Sequence, residues 1–220
     1  MHSRAAYDPP RGIALDIVFR DESLLVVNKP AGLLTVPGRG ADKADSLISR
    51  VQQEFPDALV VHRLDMDTSG LVVLARGAEM QRRLSRMFRE RQIAKNYVAA
   101  VLGELESTEG EINLPVSSDW PNRPKQKIDH DAGKPSLTRY RLLSFDASTN
   151  TSYVELEPVT GRTHQLRVHL AAIGHPILGD PLYGGEARNR AGRLLLHAQM
   201  LSFPHPLGSA PLTLRCEPAF

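Results

Sequence analysis

The chain holds a single cysteine, Cys216, so no internal disulfide framework can form, and such sparing thiol use fits a reducing compartment. No apolar stretch approaches the roughly 20 residues that a bilayer-crossing helix needs. The first residues, Met1 to Gly12, carry Arg4, Asp8 and Arg11 and lack the apolar run of a secretory signal. There is no internal repeat and no long Gly/Ser linker, which leaves one catalytic domain as the expectation. These absences point to a cytoplasmic protein with no membrane association.

Several chemistries are missing as well. Gly38-Arg39-Gly40 lacks the third glycine and the strand–helix context of a dinucleotide site, so it reads as a turn. His62-Arg63-Leu64-Asp65 is one residue too long for the kinase catalytic loop, and no glycine-rich phosphate loop accompanies it. No Gly-x-Ser-x-Gly elbow occurs. His164 and His169 are five apart, which turns them to different sides of a helix, so no metal site is expected.

What is present is locally concentrated positive charge under a net charge of only +2. Arg82, Arg83, Arg86, Arg89, Arg91 and Lys95 are opposed by Glu90 alone. Further basic stretches hold Arg123, Lys125, Lys127 and Lys134, then Arg188, Arg190 and Arg193. Any one run reads as a solvated face; together they suit a polyanion-binding surface.

Hydrophobic spacing gives the elements. Leu24 to Val27 is an apolar strand closed by the turn Lys29-Pro30-Ala31-Gly32. Asp45 or Ser46 caps a helix with Leu47, Ile48, Val51 and Phe55 on one face. Leu59 to Val61 and Leu71 to Leu74 read as strands joined by the polar segment 62–70. Met80, Leu84, Met87 and Phe88 form the apolar face of a helix that carries the arginines opposite. Ile93 to Leu102, Leu137 to Phe145 and Ser152 to Val159 are further strands, the last two an antiparallel pair. Thr163 is expected to cap a helix with Leu166, Leu170 and Ile173 inside and Gly174 as its stop. The irregular order of elements predicts an α+β domain, with a central mixed, mostly antiparallel sheet flanked by helices and loops.

Asp65 and Asp67 lie near a strand end. Alone, an aspartate beside an arginine reads as a structural ion pair. The remaining motifs change that. Val26-Val27-Asn28-Lys29-Pro30-Ala31-Gly32, the Asp65 segment, Gly161-Arg162-Thr163-His164-Gln165-Leu166-Arg167-Val168-His169, Gly174-His175-Pro176-Ile177-Leu178-Gly179-Asp180-Pro181-Leu182-Tyr183-Gly184 and Leu195-Leu196-His197-Ala198 follow in one order. In that order they resemble the RluA-type pseudouridine synthases, from about residue 20 to the C-terminus. Ser118-Asp119-Trp120-Pro121-Asn122-Arg123-Pro124-Lys125-Gln126-Lys127 is similar to a segment of the subgroup that acts on both 23S rRNA and tRNA.

The resemblance implies residues 20–220 as the catalytic domain behind a leader, 1–19, without the S4-like domain of many relatives. It implies a uridine-to-pseudouridine isomerisation with no cofactor and no metal, since no atom is lost and nothing is oxidised. RNA stem-loops of 23S rRNA and the tRNA anticodon arm are the implied partners, and no obligatory protein partner is evident. Asp65 would be the catalytic carboxylate, as nucleophile at C1′ or as proton abstractor in a glycal route. Tyr97 would stack on the uracil and take the C5 proton. Arg167 would pair with the catalytic aspartate in a partly open cleft, and Leu196 would line the uracil pocket. Arg63 would fill the stack vacated by the flipped base. Arg82, Arg83, Arg86, Arg89, Arg123, Lys125 and Lys127 would contact phosphates. A non-catalytic RNA-binding or ribosome-assembly factor of the same fold, and a nucleosidase using Asp65 and Asp67, are the competing readings.

Overall fold

The computed structural model describes residues 7–208 and 210–220; the start of the leader, with Arg4, and Ser209 lie outside the described residues. Two compact units emerge from the packing. The first runs to Ile93 and takes in Leu201–Cys216; the second comprises Ala94–Met200 and Glu217–Phe220.

The first unit opens with β1 (Ile17–Arg20) and β2 (Leu24–Lys29), followed by α1 (Leu47–Glu54), β3 (Ala58–Val60), β4 (Ser69–Arg76) and α2 (Gly77–Arg89). Leu24 to Val27 and Leu71 to Ala75 are fully buried, as continuous apolar runs demand when both sheet faces are covered. β2 pairs antiparallel with β4, Leu24 opposite Ala75 and Lys29 opposite Gly70; β3 pairs antiparallel with the other side of β4. That register makes residues 61–68 the connection of a β3–β4 hairpin, as their polarity suggested.

Ser46 is the cap of α1. Its hydroxyl accepts the Ser49 N–H, and the Ser49 hydroxyl accepts the Ser46 N–H at 2.8 Å, two otherwise orphaned donors satisfied reciprocally. Asp45, the alternative cap, instead takes both arms of Arg50 at 2.8 Å. On α2, Met80 and Leu84 are buried with Met87 and Phe88 packed beside them, while Arg82, Arg83, Arg86 and Arg89 are exposed. The spacing read from the sequence holds.

In the second unit lie β5 (Ala94–Leu102), β6 (Glu109–Asn113), the short hairpin of β7 (Val116–Ser118) and β8 (Gln126–Ile128), β9 (Leu137–Asp146), β10 (Thr151–Pro158) and α3 (Gln165–Ala172). β9 and β10 pair antiparallel as expected, and β10 also pairs antiparallel with β5, Leu156 opposite Tyr97. The chain then forms β11 (Leu196–Pro204), which contributes to both units, and β12 (Pro211–Arg215), which pairs with β11 in the first. The architecture is α+β, and the ladders named above for each unit are antiparallel.

Two details of α3 differ from expectation. Thr163 does not cap it: the N-cap is His164, in the left-handed region at φ 54, without a side-chain cap. The start is closed from inside, by the buried Gln165 side chain. Its oxygen accepts the Arg162 N–H at 3.0 Å and the Thr160 hydroxyl at 2.7 Å, and its nitrogen donates to the Leu137 carbonyl at 3.0 Å. Ile173 is not an inner-face residue but the C-cap, 36% exposed. Gly174, at φ +87, ends the helix as predicted. Among the described residues no helix is long and apolar enough to cross a membrane.

Candidate active site

In the first unit, the loop bearing Asp65 is fixed through its backbone on both sides of that residue. The Thr35 hydroxyl donates to the Leu64 carbonyl at 2.8 Å and accepts the Leu64 N–H at 3.2 Å. Beyond Asp65, the Met66 carbonyl accepts the Gly32 N–H and the Lys29 ammonium, each at 2.9 Å. His62 sets the approach: its Nε2 accepts the Val73 N–H at 2.9 Å, and its ring stacks on Phe88 with centroids 4.3 Å apart. Leu64 is buried, Arg63 is exposed and Asp65 is half-buried, so the clamped loop turns its charged groups outward. Such preorganisation leaves little loop entropy to be lost when substrate arrives.

Lys29 is the residue that sequence reasoning missed here. It is 0% exposed at the end of β2, and its three N–H groups meet the carbonyls of Pro30, Leu33 and Met66 at 2.8, 2.8 and 2.9 Å. Burial pulls its pKa down to about 7, against the opposing pull of Asp67 and Asp65. The turn motif Asn28-Lys29-Pro30 was visible, but a lysine ending an apolar run reads as a solvated cation.

This arrangement has a thermodynamic consequence. A lysine titrating near 7 when folded and near 10.4 when unfolded binds fewer protons in the native state between those values, so its contribution to stability rises with pH there. Relative to Lys29→Met, wild-type unfolding free energy should be flat below about pH 6 and then climb, by up to about 1.4 kcal/mol per pH unit above 7. Urea titrations of both proteins from pH 6 to 9 check this; a constant gap would show that Lys29 does not titrate in that range.

The second unit holds Tyr97, Arg167 and Leu196. Leu196 is buried in a cluster with Leu166 and Leu170 of α3, and Tyr97 packs against the same cluster from β5. Arg167 is not in a partly open cleft: its side chain is 2% exposed. Its fork grips Asp180, Nε to Oδ2 at 2.8 Å and an η nitrogen to Oδ1 at 2.7 Å. Asp180 Oδ1 also accepts the Leu182 and Tyr183 N–H groups at 2.8 and 3.0 Å. Burial alone would raise the Asp180 pKa, but Arg167 and these donors hold its carboxyl below the usual range. Gly179 precedes it at φ +74, where a Cβ would lie 1.8 Å from the Arg193 carbonyl oxygen. The Tyr183 hydroxyl bonds the Gln126 N–H of β8 and His164 Nδ1, each at 2.7 Å. Asp180 and Tyr183 were legible only as parts of a motif; neither had an assigned role.

The basic residues divide. On α2, Arg83 pairs with Glu79 one turn back. On the β7–β8 hairpin the Arg123 guanidinium lies 4.1 Å from the Trp120 ring centroid, Lys125 is half-buried, and Lys127 is 3.2 Å from Asp129. Arg188 and Arg190 are exposed on a short helical turn, Gly185–Arg190.

Comparison with known proteins decides what this arrangement belongs to. The profile of the family described as RNA pseudouridylate synthase matches residues 23–172. The chain belongs to that family. As an RNA pseudouridylate synthase it is an isomerase that acts on RNA. It is 49% identical over 215 residues to the dual-specificity RNA pseudouridine synthase RluA of Escherichia coli (strain K12), covering 97% of this chain and 98% of that one. To the protein of the same name from Yersinia pestis it is 50% identical over 205 residues, covering 93% and 99%. Among solved structures, Human RNA Pseudouridylate Synthase Domain Containing 1 superposes with a TM-score of 0.78 at 31% identity, over 100% of this chain and 87% of that one. The synthase fold is therefore shared, and the matched segment contains Asp65, Tyr97 and Arg167.

Proposed function

We propose that the protein flips specific uridines out of stem-loops in 23S rRNA and the tRNA anticodon arm, and isomerises each to pseudouridine with Asp65 as the catalytic carboxylate. The observation that carries this reading is a half-exposed aspartate on a loop whose backbone is clamped on both sides, in a chain of the pseudouridylate synthase family. Breaking the N1–C1′ bond develops positive character at C1′, which a carboxylate stabilises either by adding to it or by taking a neighbouring proton. Tyr97 takes the C5 proton once the base has rejoined through C5. Arg167 pairs with and orients the catalytic carboxylate, Leu196 lines the uracil pocket, and Arg63 fills the emptied stack with its planar guanidinium. Specificity for both RNA classes is supported by the Ser118–Lys127 segment and by the relatives named dual-specificity. The site of action is the cytoplasm.

The test is release of tritium from C5-labelled uridine in 23S and tRNA stem-loops, with nucleoside analysis of the product. Pseudouridine in both RNAs is the expected result. Free uracil would mean a nucleosidase, binding without release a non-catalytic factor, and modification of one RNA alone would end the dual specificity.

Arg82, Arg83, Arg86, Arg89, Arg123, Lys125 and Lys127 bind phosphates in this reading. Each lost contact should lower the slope of log affinity against log salt by roughly 0.7 to 0.9. Binding of charge-neutralised variants to a stem-loop at several salt concentrations checks it, and unchanged slopes would return these residues to a solvated face. Arg63→Ala should impair turnover more than it alters the slope.

A further inference from the structure

We infer that the β7–β8 hairpin carries a stacking site for an unpaired nucleobase of the bound RNA loop, with Trp120 as its platform. The inference rests on the reading of RNA as substrate and adds a subsite to it.

Trp120 sits at the tip of the hairpin, in the short turn Trp120–Asn122 between β7 and β8, and is 68% exposed. An indole left open to water forgoes a large burial gain, and its ring is not idle: the Arg123 guanidinium lies over it at 4.1 Å from the centroid. A guanidinium–indole stack of this kind favours a rigid, flat surface. The ring also forms one wall of a cavity of about 630 Å³, within the range of small-ligand sites.

The other walls say what would fill it. Lys127, Lys134 and Arg162 line the cavity with a single carboxylate, Asp129. That carboxylate is already engaged, by the Asp131 and Ala132 N–H groups at 3.2 and 3.0 Å, the Ser117 hydroxyl at 2.9 Å and the Lys127 ammonium at 3.2 Å. Ser118 and Gln126 add hydrogen-bonding groups. A pocket with an open π-face and an excess of cations matches one chemical class, a nucleotide within single-stranded RNA: the base stacks on the indole and the flanking phosphates meet the cations. A peptide side chain would satisfy the indole and leave the cations unanswered, whereas a phosphate alone would leave the indole exposed.

The hairpin is not a loose appendage. The N–H of Gln126, the first residue of β8, is held by the Tyr183 hydroxyl, which also bonds His164 at the start of α3. The platform is thereby fastened to the helix that carries Arg167. A base accommodated on Trp120 would discriminate loops that can unstack a second nucleotide from those that cannot.

Trp120 is the chain's only tryptophan, so indole emission reads this site directly. Titrating the full-length protein with a stem-loop RNA should quench that emission, while filter retention measures binding separately. A set of loops, each abasic at one position, should contain one that binds about tenfold weaker and no longer quenches. Trp120→Ala should raise KM about tenfold, with the loss in KM rather than kcat, and Trp120→Phe should recover most of it. RNA that is retained on the filter with unaltered emission, or a Trp120→Ala variant with wild-type KM, would overturn the proposal. Tritium release by the wild type on the same RNA keeps the two readings apart. Quenching without release would leave the stacking site standing and remove that RNA as a substrate, and release without quenching would do the reverse.

Discussion

Asp65→Asn should release no tritium above background from C5-labelled RNA, while its affinity for the stem-loop stays within a few-fold of wild type. Asparagine matches aspartate in size but can neither add to C1′ as an anion nor take a proton. The loop should keep its path, because Thr35, Gly32 and Lys29 hold it through the Leu64 and Met66 backbone. Removing this charge also removes one of the two carboxylates that support the Lys29 ammonium, so the Lys29 pKa should fall further. Asp67→Asn should shift Lys29 in the same direction yet retain turnover. Substantial isomerisation by Asp65→Asn would end the assignment of the catalytic carboxylate.

Arg167→Ala should damage the fold as well as the reaction. The pair with Asp180 lies in the interior, so deleting the guanidinium strands a buried carboxylate, at a cost of about 3 to 5 kcal/mol. For a chain of this size that corresponds to a fall in Tm on the order of 10 °C. The expectation of a partly open cleft, which set the catalytic loss well above the structural one, does not fit the 2% exposure of Arg167. Acid should narrow the difference. The Asp180 pKa is lowered in the folded state, so its stabilising contribution is present above the ordinary carboxylate range and is lost as pH falls through the folded value. A double variant, Arg167→Met with Asp180→Asn, should recover part of the stability, because no charge is left stranded and the amide oxygen still accepts the Leu182 and Tyr183 N–H groups, yet remain inactive. Recovery of stability without activity separates the two roles of the arginine. A Tm for Arg167→Ala equal to wild type would show that the buried pair contributes nothing to folding.

Much of this was legible because it depends on local pattern. Leu24 to Val27 and Leu71 to Leu74 could be strands because a continuous apolar run of that length has to be covered on both faces. Met80, Leu84, Met87 and Phe88 could be one helix face because their spacing allows little else. What escaped the sequence depends on partners that the chain brings from afar. Nothing near Lys29 says that one of its acceptors is the carbonyl of Met66, 37 residues on. Thr163 has the right chemistry for a cap, but His164 is drawn into the left-handed region where its ring reaches Tyr183, and Gln165 closes the helix from within. The carboxylate that grips Arg167 lies 13 residues later. Motif resemblance singled out that stretch without saying what its aspartate does.

The glycine before Asp180 leaves a mark of a different kind. With the Arg193 carbonyl filling the space a Cβ would occupy, Gly179 answers to the shape of the backbone and not to the chemistry beside it. A descendant chain could therefore exchange Asp180 and the arginine it holds, losing the reaction, and still be obliged to keep the glycine for as long as it kept the fold. Gly179 would then outlast the activity, a fossil of the loop's path rather than of its catalysis. In a chain of this fold its presence reports the path of the loop, and only the carboxylate next to it says whether the arginine is still held.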